Sequence, residues 1–245
     1  MLSIVADMGV SGDMFLGALW DLGLVPEDDV LDSMQTLTRT SSAGLIQGER
    51  VVKAGVNAFH VHVDARETGW SSSWVEERIK SSCDSLLLEE GRDFALEAFM
   101  RLVDAEREVH GISPEDYPHL HEAGSPDTVV DMVGAGYFYE KSKIMDMEVV
   151  GGPVSLGGGR AKIAHGWVSV PAPATRKILE GYPCRTGPVD GELATPTGAA
   201  ILRTLVTRTE NDMTPFMEGR SGIGAGSLDF PHNSNVLRVF YTEDR

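Results

Sequence analysis

Strand-like segments stand at both ends of this chain with a long helical stretch between them, and that arrangement constrains the fold more than any other feature. The run 2–6 (LSIVA) is short and apolar, as a buried strand requires, and the closing run 235–245 (NVLRVFYTEDR) reads as a strand with a charged tail. Residues 73–109 read as helical with a break near Gly91. Within them, FALEAFMRLVDAEREVHG combines helix formers with periodic apolar positions and stops at His110-Gly111. A further helix is expected from about Thr128 to Lys141. The pattern implies an α+β fold, with a mixed sheet contributed by both ends of the chain and a helical block in the middle.

Other segments fill in this frame. After a turn at Gly9–Gly12, apolar Met14, Leu16, Leu19, Trp20 and Leu22 suit one helical face, with Gly23 at the expected C-cap. A second helix follows Pro26. Two alternating runs within residues 45–63 read as strands joined by a turn at Ala54-Gly55-Val56-Asn57. Beyond Met147, glycine and proline become frequent, and short strands alternate with helices near 173–181 and 197–206. The 245 residues are read as one domain, 1–245, with 66–144 as a candidate helical subdomain.

Charge narrows the function. Twenty-one basic against 37 acidic side chains leave a net charge of −16, which disfavours partners whose binding needs a basic face, nucleic acid and anionic membrane among them. The start lacks a basic region and its apolar run is interrupted by Asp7 and Asp13, so it does not read as a signal peptide. No run of about 18 apolar residues suggests a membrane span. Cys83 and Cys184 have no CxxC spacing, and a reduced, cytoplasmic protein is the expectation.

The densest chemistry lies in His119-Leu120-His121-Glu122-Ala123-Gly124-Ser125-Pro126-Asp127, continuing to Asp131. On an extended segment His119 and His121 point to one side, and on the helix that follows Asp127 and Asp131 share a face. Two imidazoles with carboxylates suit a borderline divalent metal such as nickel, zinc or iron. The plain structural account has Asp127 capping the helix and Asp131 solvated. Ser11-Gly12-Asp13 opens a helix after a strand, where Asp13 either caps the helix or reaches a site at the carboxyl end of the sheet.

Two glycine runs fall short of phosphate-loop motifs. Residues 151–159 (GGPVSLGGG) lack the Lys-Ser/Thr pair, and 222–227 (GIGAGS) misses GxGxxG by one residue. They read as backbone anion cradles or as tight loops between strands. His165 is either a third imidazole or a loop residue. Thr195 and Pro196 read as the N-cap and first residue of a helix. His60 and His62 share a face of a strand, read as solvent-facing. No GxSxG motif is present, and neither cysteine has the context of a nucleophile.

Taken in order, MGVSGDMFLGAL, HLHEAGSPDTVVDMVGA, PVSLGGG, HGWVSVPAPAT, LEG, ELATPTGAAIL, GIGAG and NVLRV resemble the LarC family, from about residue 4 to 240. The resemblance implies a CTP-dependent nickel insertase, a lyase that makes a nickel-pincer cofactor of the lactate racemase type from a pyridinium-3,5-bisthiocarboxylate mononucleotide. The metal set chosen on these motifs is His119, His121, Glu122, Asp127 and Asp131, with Asp13 and His165 as weaker candidates. Glu122 or Asp131 would accept the ring proton that nickel replaces. Gly157, Gly158, Gly159 and Arg160, with Lys162 close by, are the local donors for the substrate phosphate.

The chain departs from the family pattern in two places. Val5, Ala6 and Asp7 stand where relatives often carry Asp-Cys-Phe. Relatives also continue past the NxLRV strand into a ferredoxin-like domain expected to hold CTP with Mg²⁺ or Mn²⁺, whereas this chain stops at Arg245. A separate chain supplying that domain, a fragment, and a protein working without CTP are the alternatives. The expected partners are the mononucleotide precursor, such a nucleotide-binding chain and further copies in a homo-oligomer. Two other functions compete: a nickel-binding carrier without turnover, and a metal-dependent hydrolase.

Overall fold

The computed structural model describes residues 1–65, 67–113, 116–118, 120, 123–163 and 166–243. In chain order the strands are β1 (Leu2–Val5), β2 (Ile46–Lys53), β3 (Val56–Val63), β4 (Val149–Gly151), β5 (Val154–Ser155), β6 (Gly157–Gly158), β7 (Arg160–Ile163), β8 (Gly166–Ser169), β9 (Cys184–Arg185), β10 (Gly191–Glu192), β11 (Arg208–Thr209), β12 (Arg220–Ala225) and β13 (Val236–Tyr241). The helices are α1 (Gly12–Leu22), α2 (Glu27–Thr40), α3 (Ser72–Ser85), α4 (Glu90–His110), α5 (Pro126–Lys141), α6 (Pro173–Ile178) and α7 (Pro196–Leu205).

Both ends of the chain enter one seven-stranded mixed sheet, ordered β11-β4-β1-β13-β12-β3-β2. β1 pairs in parallel with β4, Leu2 beside Val149, and antiparallel with β13, Leu2 opposite Tyr241 and Val5 opposite Arg238. A strand flanked on both sides has no need to alternate, and all four residues of β1 are buried. The β2–β3 hairpin turns at Ala54-Gly55 alone, both at positive φ, and Val56 and Asn57 belong to the strand. The α+β arrangement inferred from the two strand-like ends is the one observed.

Helix α1 lies flush on this sheet because glycines clear its path. A Cβ on Gly222 would overlap the carbonyl oxygen of Ala18, and one on Gly224 that of Met14. The GIGAG run is therefore the body of β12 beneath α1, and neither an anion cradle nor a loop.

The break expected near Gly91 falls at residues 86–89. Leu87 turns left-handed at φ 52°, and the Leu88 N–H bonds back to the Cys83 carbonyl, closing α3 in a Schellman-type cap. Gly91 lies inside α4, where a Cβ would overlap the Gly136 carbonyl of α5. The large buried side chains Phe15 of α1, Ile79 of α3, Phe99 of α4 and Phe138 of α5 join Ile4 of β1 in one apolar cluster.

Candidate functional site

Three helices begin at one place. Gly12 opens α1, Pro126 opens α5 and Pro196 opens α7, and the first-turn residues Ser11, Asp13, Asp127 and Thr197 line one cavity of about 330 Å³. Asp131, one turn further along α5, lines it as well, and β3 contributes His62. Each helix start presents unpaired backbone N–H groups and the positive end of its dipole, so the cavity floor favours negative charge.

The carboxylates occupy that field. Asp13 Oδ1 accepts the Ser11 hydroxyl and, at 2.8 Å, the Met14 N–H; Asp13 Oδ2 accepts the Ser227 hydroxyl at 3.0 Å. Asp131 is only 2% exposed, and its carboxyl lies so close to Gly12 that a Cβ there would overlap it. Asp131 Oδ1 is buried without a hydrogen-bond partner among the described residues. Position 131 is therefore not the solvated one that the plain structural account of the sequence offers. Nor does Asp127 cap α5, whose N-cap residue is Ser125.

Burial and mutual repulsion set the protonation of this group. The Asp127 carboxyl is pushed up to about 6, first by burial and then by the Asp13 charge, while His62 draws it back. Asp131 is held well above the ordinary carboxylate range by burial, then by Asp127 and Asp13, with the Thr197 hydroxyl opposing. Repelling carboxylates around one small cavity are what a cation would relieve. Among the described residues, however, no three His, Cys, Asp or Glu side chains already stand in an arrangement that encloses a metal ion.

Of the site residues expected from the sequence, the structure brings Asp13, Asp127 and Asp131 together. His119, His121, Glu122 and His165 lie outside the described residues. The glycines of 157–159 do not line the cavity: Gly157 pairs with Glu192 and Gly158 with Gly191 in a two-stranded ladder. Arg160 is exposed and donates to the Trp167 carbonyl at 3.2 Å. Thr195 caps α7 as expected, its hydroxyl accepting the Gly198 N–H at 3.1 Å, and it also lines the cavity.

Sequence reasoning missed Ser227, Thr197 and the two β3 histidines. The solvent-facing reading holds for exposed His62, although it borders the cavity, and fails for His60. The His60 side chain is 16% exposed, with Nε2 3.8 Å from Asp13 Oδ2. Strand alternation correctly grouped these two rings, whose centroids lie 6.4 Å apart, but it carried no information on what stands over them.

The family model described as nickel insertion protein matches residues 2–245. A relative from Methanothermobacter thermautotrophicus is 37% identical over 233 residues, covering 94% of this chain and 56% of the relative. Two proteins named pyridinium-3,5-bisthiocarboxylic acid mononucleotide nickel insertion protein, from Nocardioides sp. and Clostridium kluyveri, are each 35% identical over 96% of this chain and over 58% and 60% of their own length. The chain thus spans less than two thirds of the curated relatives it matches. No solved structure matches it. With the family model covering all but the first residue, the chain belongs to the nickel insertion protein family.

Proposed function

We propose that this chain carries the nickel-handling part of a protein that inserts Ni²⁺ into a pyridinium-3,5-bisthiocarboxylic acid mononucleotide. The relatives' names supply the substrate class. The observation that carries the reading is the Asp13–Asp127–Asp131 cavity, with one buried Asp131 oxygen lacking a partner among the described residues.

In this reading nickel is cargo. Carboxylate oxygens and imidazole nitrogens hold it as borderline ligands, which lets it pass to the softer thiocarboxylate sulfurs of the substrate. The segment His119-Leu120-His121-Glu122 leads directly into the α5 carboxylates and is the proposed source of further ligands, with His165 as another. When nickel bonds a ring carbon, the carbon–hydrogen bond breaks and its proton passes to Asp131 or Glu122. Arg160 and the neighbouring glycines 157–159 are proposed to receive the substrate phosphate. CTP with Mg²⁺ or Mn²⁺ is assigned to a nucleotide-binding domain supplied separately, and the reaction to the cytoplasm.

The test is a reconstituted reaction of the chain with precursor, Ni²⁺ and CTP, with and without an added nucleotide-binding domain, read as nickel-bearing mononucleotide by mass spectrometry. Product formation that is lost in Asp13→Asn and Asp131→Asn is expected. Product formed equally well by both variants overturns the site. Stoichiometric nickel retention with no product under either condition favours a carrier.

A further inference from the structure

Next to Asp13, one largely buried side chain outside the residues that line the cavity has no function yet. His60 Nε2 is shielded from solvent and has no hydrogen-bond partner among the described residues. Its nearest charged neighbour is Asp13 Oδ2 at 3.8 Å, too far for a hydrogen bond. A buried nitrogen in that condition costs free energy unless something fills the gap.

We infer that His60, from beside the cavity, supplies an imidazole nitrogen to the same divalent cation that Asp13 binds, which makes the Asp13 end of the site a mixed nitrogen–oxygen one. This rests on the cation reading of the carboxylate cavity given above. The geometry suits it: a cation about 2.1 Å from a nitrogen and from an oxygen allows the two atoms to stand up to about 4 Å apart. At 3.8 Å the His60–Asp13 pair lies inside that span while exceeding hydrogen-bond reach.

A second buried atom without a partner among the described residues points the same way. Asp131 Oδ1, deeply buried, belongs to the cavity that Asp13 also lines, so a further carboxylate oxygen is within the same site. Ser11 and Ser227 already donate to Asp13 and fix its carboxylate, as the supporting shell of a metal ligand does. Imidazole with carboxylate is a donor set for nickel, zinc or copper rather than for calcium or magnesium, which prefer oxygen alone.

The inference is tested by Ni²⁺ titration of the whole chain by calorimetry, comparing wild type, His60→Gln and Asp13→Asn. At least about a tenfold weakening is expected in both variants. A His60→Gln affinity within twofold of wild type, beside a weakened Asp13→Asn, overturns the histidine assignment and leaves the cavity reading intact. If neither variant weakens binding, the cavity reading falls and the inference with it.

A second measurement uses only the wild-type chain. Cu²⁺, which binds such sites more tightly than Ni²⁺, is added with ascorbate, and oxidised histidines are mapped by peptide mass spectrometry. Oxidation at His60 that excess Ni²⁺ suppresses is expected. An unmodified His60 overturns the assignment whether or not either variant folds.

Discussion

Ionising Asp127 in the folded chain works against both its burial and the Asp13 charge, and this residue therefore makes folding depend on pH. Its folded pKa of about 6 lies above its ordinary value of 3.8, so the folded chain holds this proton more tightly than the unfolded one. Below about 3.8 the group costs nothing; as pH climbs through about 6 the cost grows, then levels off. The full loss is on the order of 3 kcal/mol, shared with the neighbouring carboxylates. In chelator-treated protein, urea midpoints are expected to fall between pH 5 and 7.5, with a smaller fall in Asp127→Asn. An equal fall in both would show that the cost arises elsewhere. At this scale the sequence was partly legible. Helix-start spacing brought Asp13, Asp127 and Asp131 forward, because a side chain in a helix's first turns is placed by its own helix. His60 stayed hidden because its partner, Asp13, comes from a different element.

Elements were legible where their own residues define them and obscure where packing does. The α4 pattern predicts a helix ending at His110-Gly111, and Gly111 is the left-handed C-cap. The preceding helix ends without such a signal, because Leu87 rather than glycine takes the left-handed position. A β-carbon there costs roughly 1 kcal/mol or more, and this leucine is also 83% exposed. Leu87→Gly is accordingly expected to stabilise the chain by about 1 kcal/mol, seen as a higher urea midpoint. No gain would mean that Leu87 makes compensating contacts. Glycines mislead in the opposite way, since Gly91 and Gly224 mark close approaches rather than breaks. The Met14 carbonyl of α1 fills the place of a Gly224 side chain. Gly224→Ala is expected to destabilise the chain by about 3 kcal/mol, since the α1 backbone it would meet cannot easily give way. A change below about 1 kcal/mol would show that α1 can lift from the sheet.

For the whole molecule, the sheet explains why the cavity lies far from its ligands in sequence. β13 enters between β1 and β12, which fixes the start of α1 beside Ser227, while α5 and α7 arrive from the middle and late chain. No local pattern announces such a convergence. The strand-like ends announced a shared sheet but could not specify its strand order. Three helix starts and three carboxylates now face one another across about 330 Å³, and without a cation the carboxylates repel. A divalent cation that binds only the folded arrangement must then raise stability by mass action. At a hundredfold excess over Kd the gain is about 3 kcal/mol, or roughly 5–10 °C in Tm for a chain of this size. Such a shift with Ni²⁺ is expected by differential scanning fluorimetry in wild type and not in Asp131→Asn. That variant should also start from a higher Tm at pH 7.5, because it removes a carboxyl whose ionisation burial and its acidic neighbours oppose. The two changes must appear together: a nickel shift retained in Asp131→Asn would place the cation outside this cavity. A lower starting Tm would mean that the Asp131 carboxylate is compensated in the fold without metal.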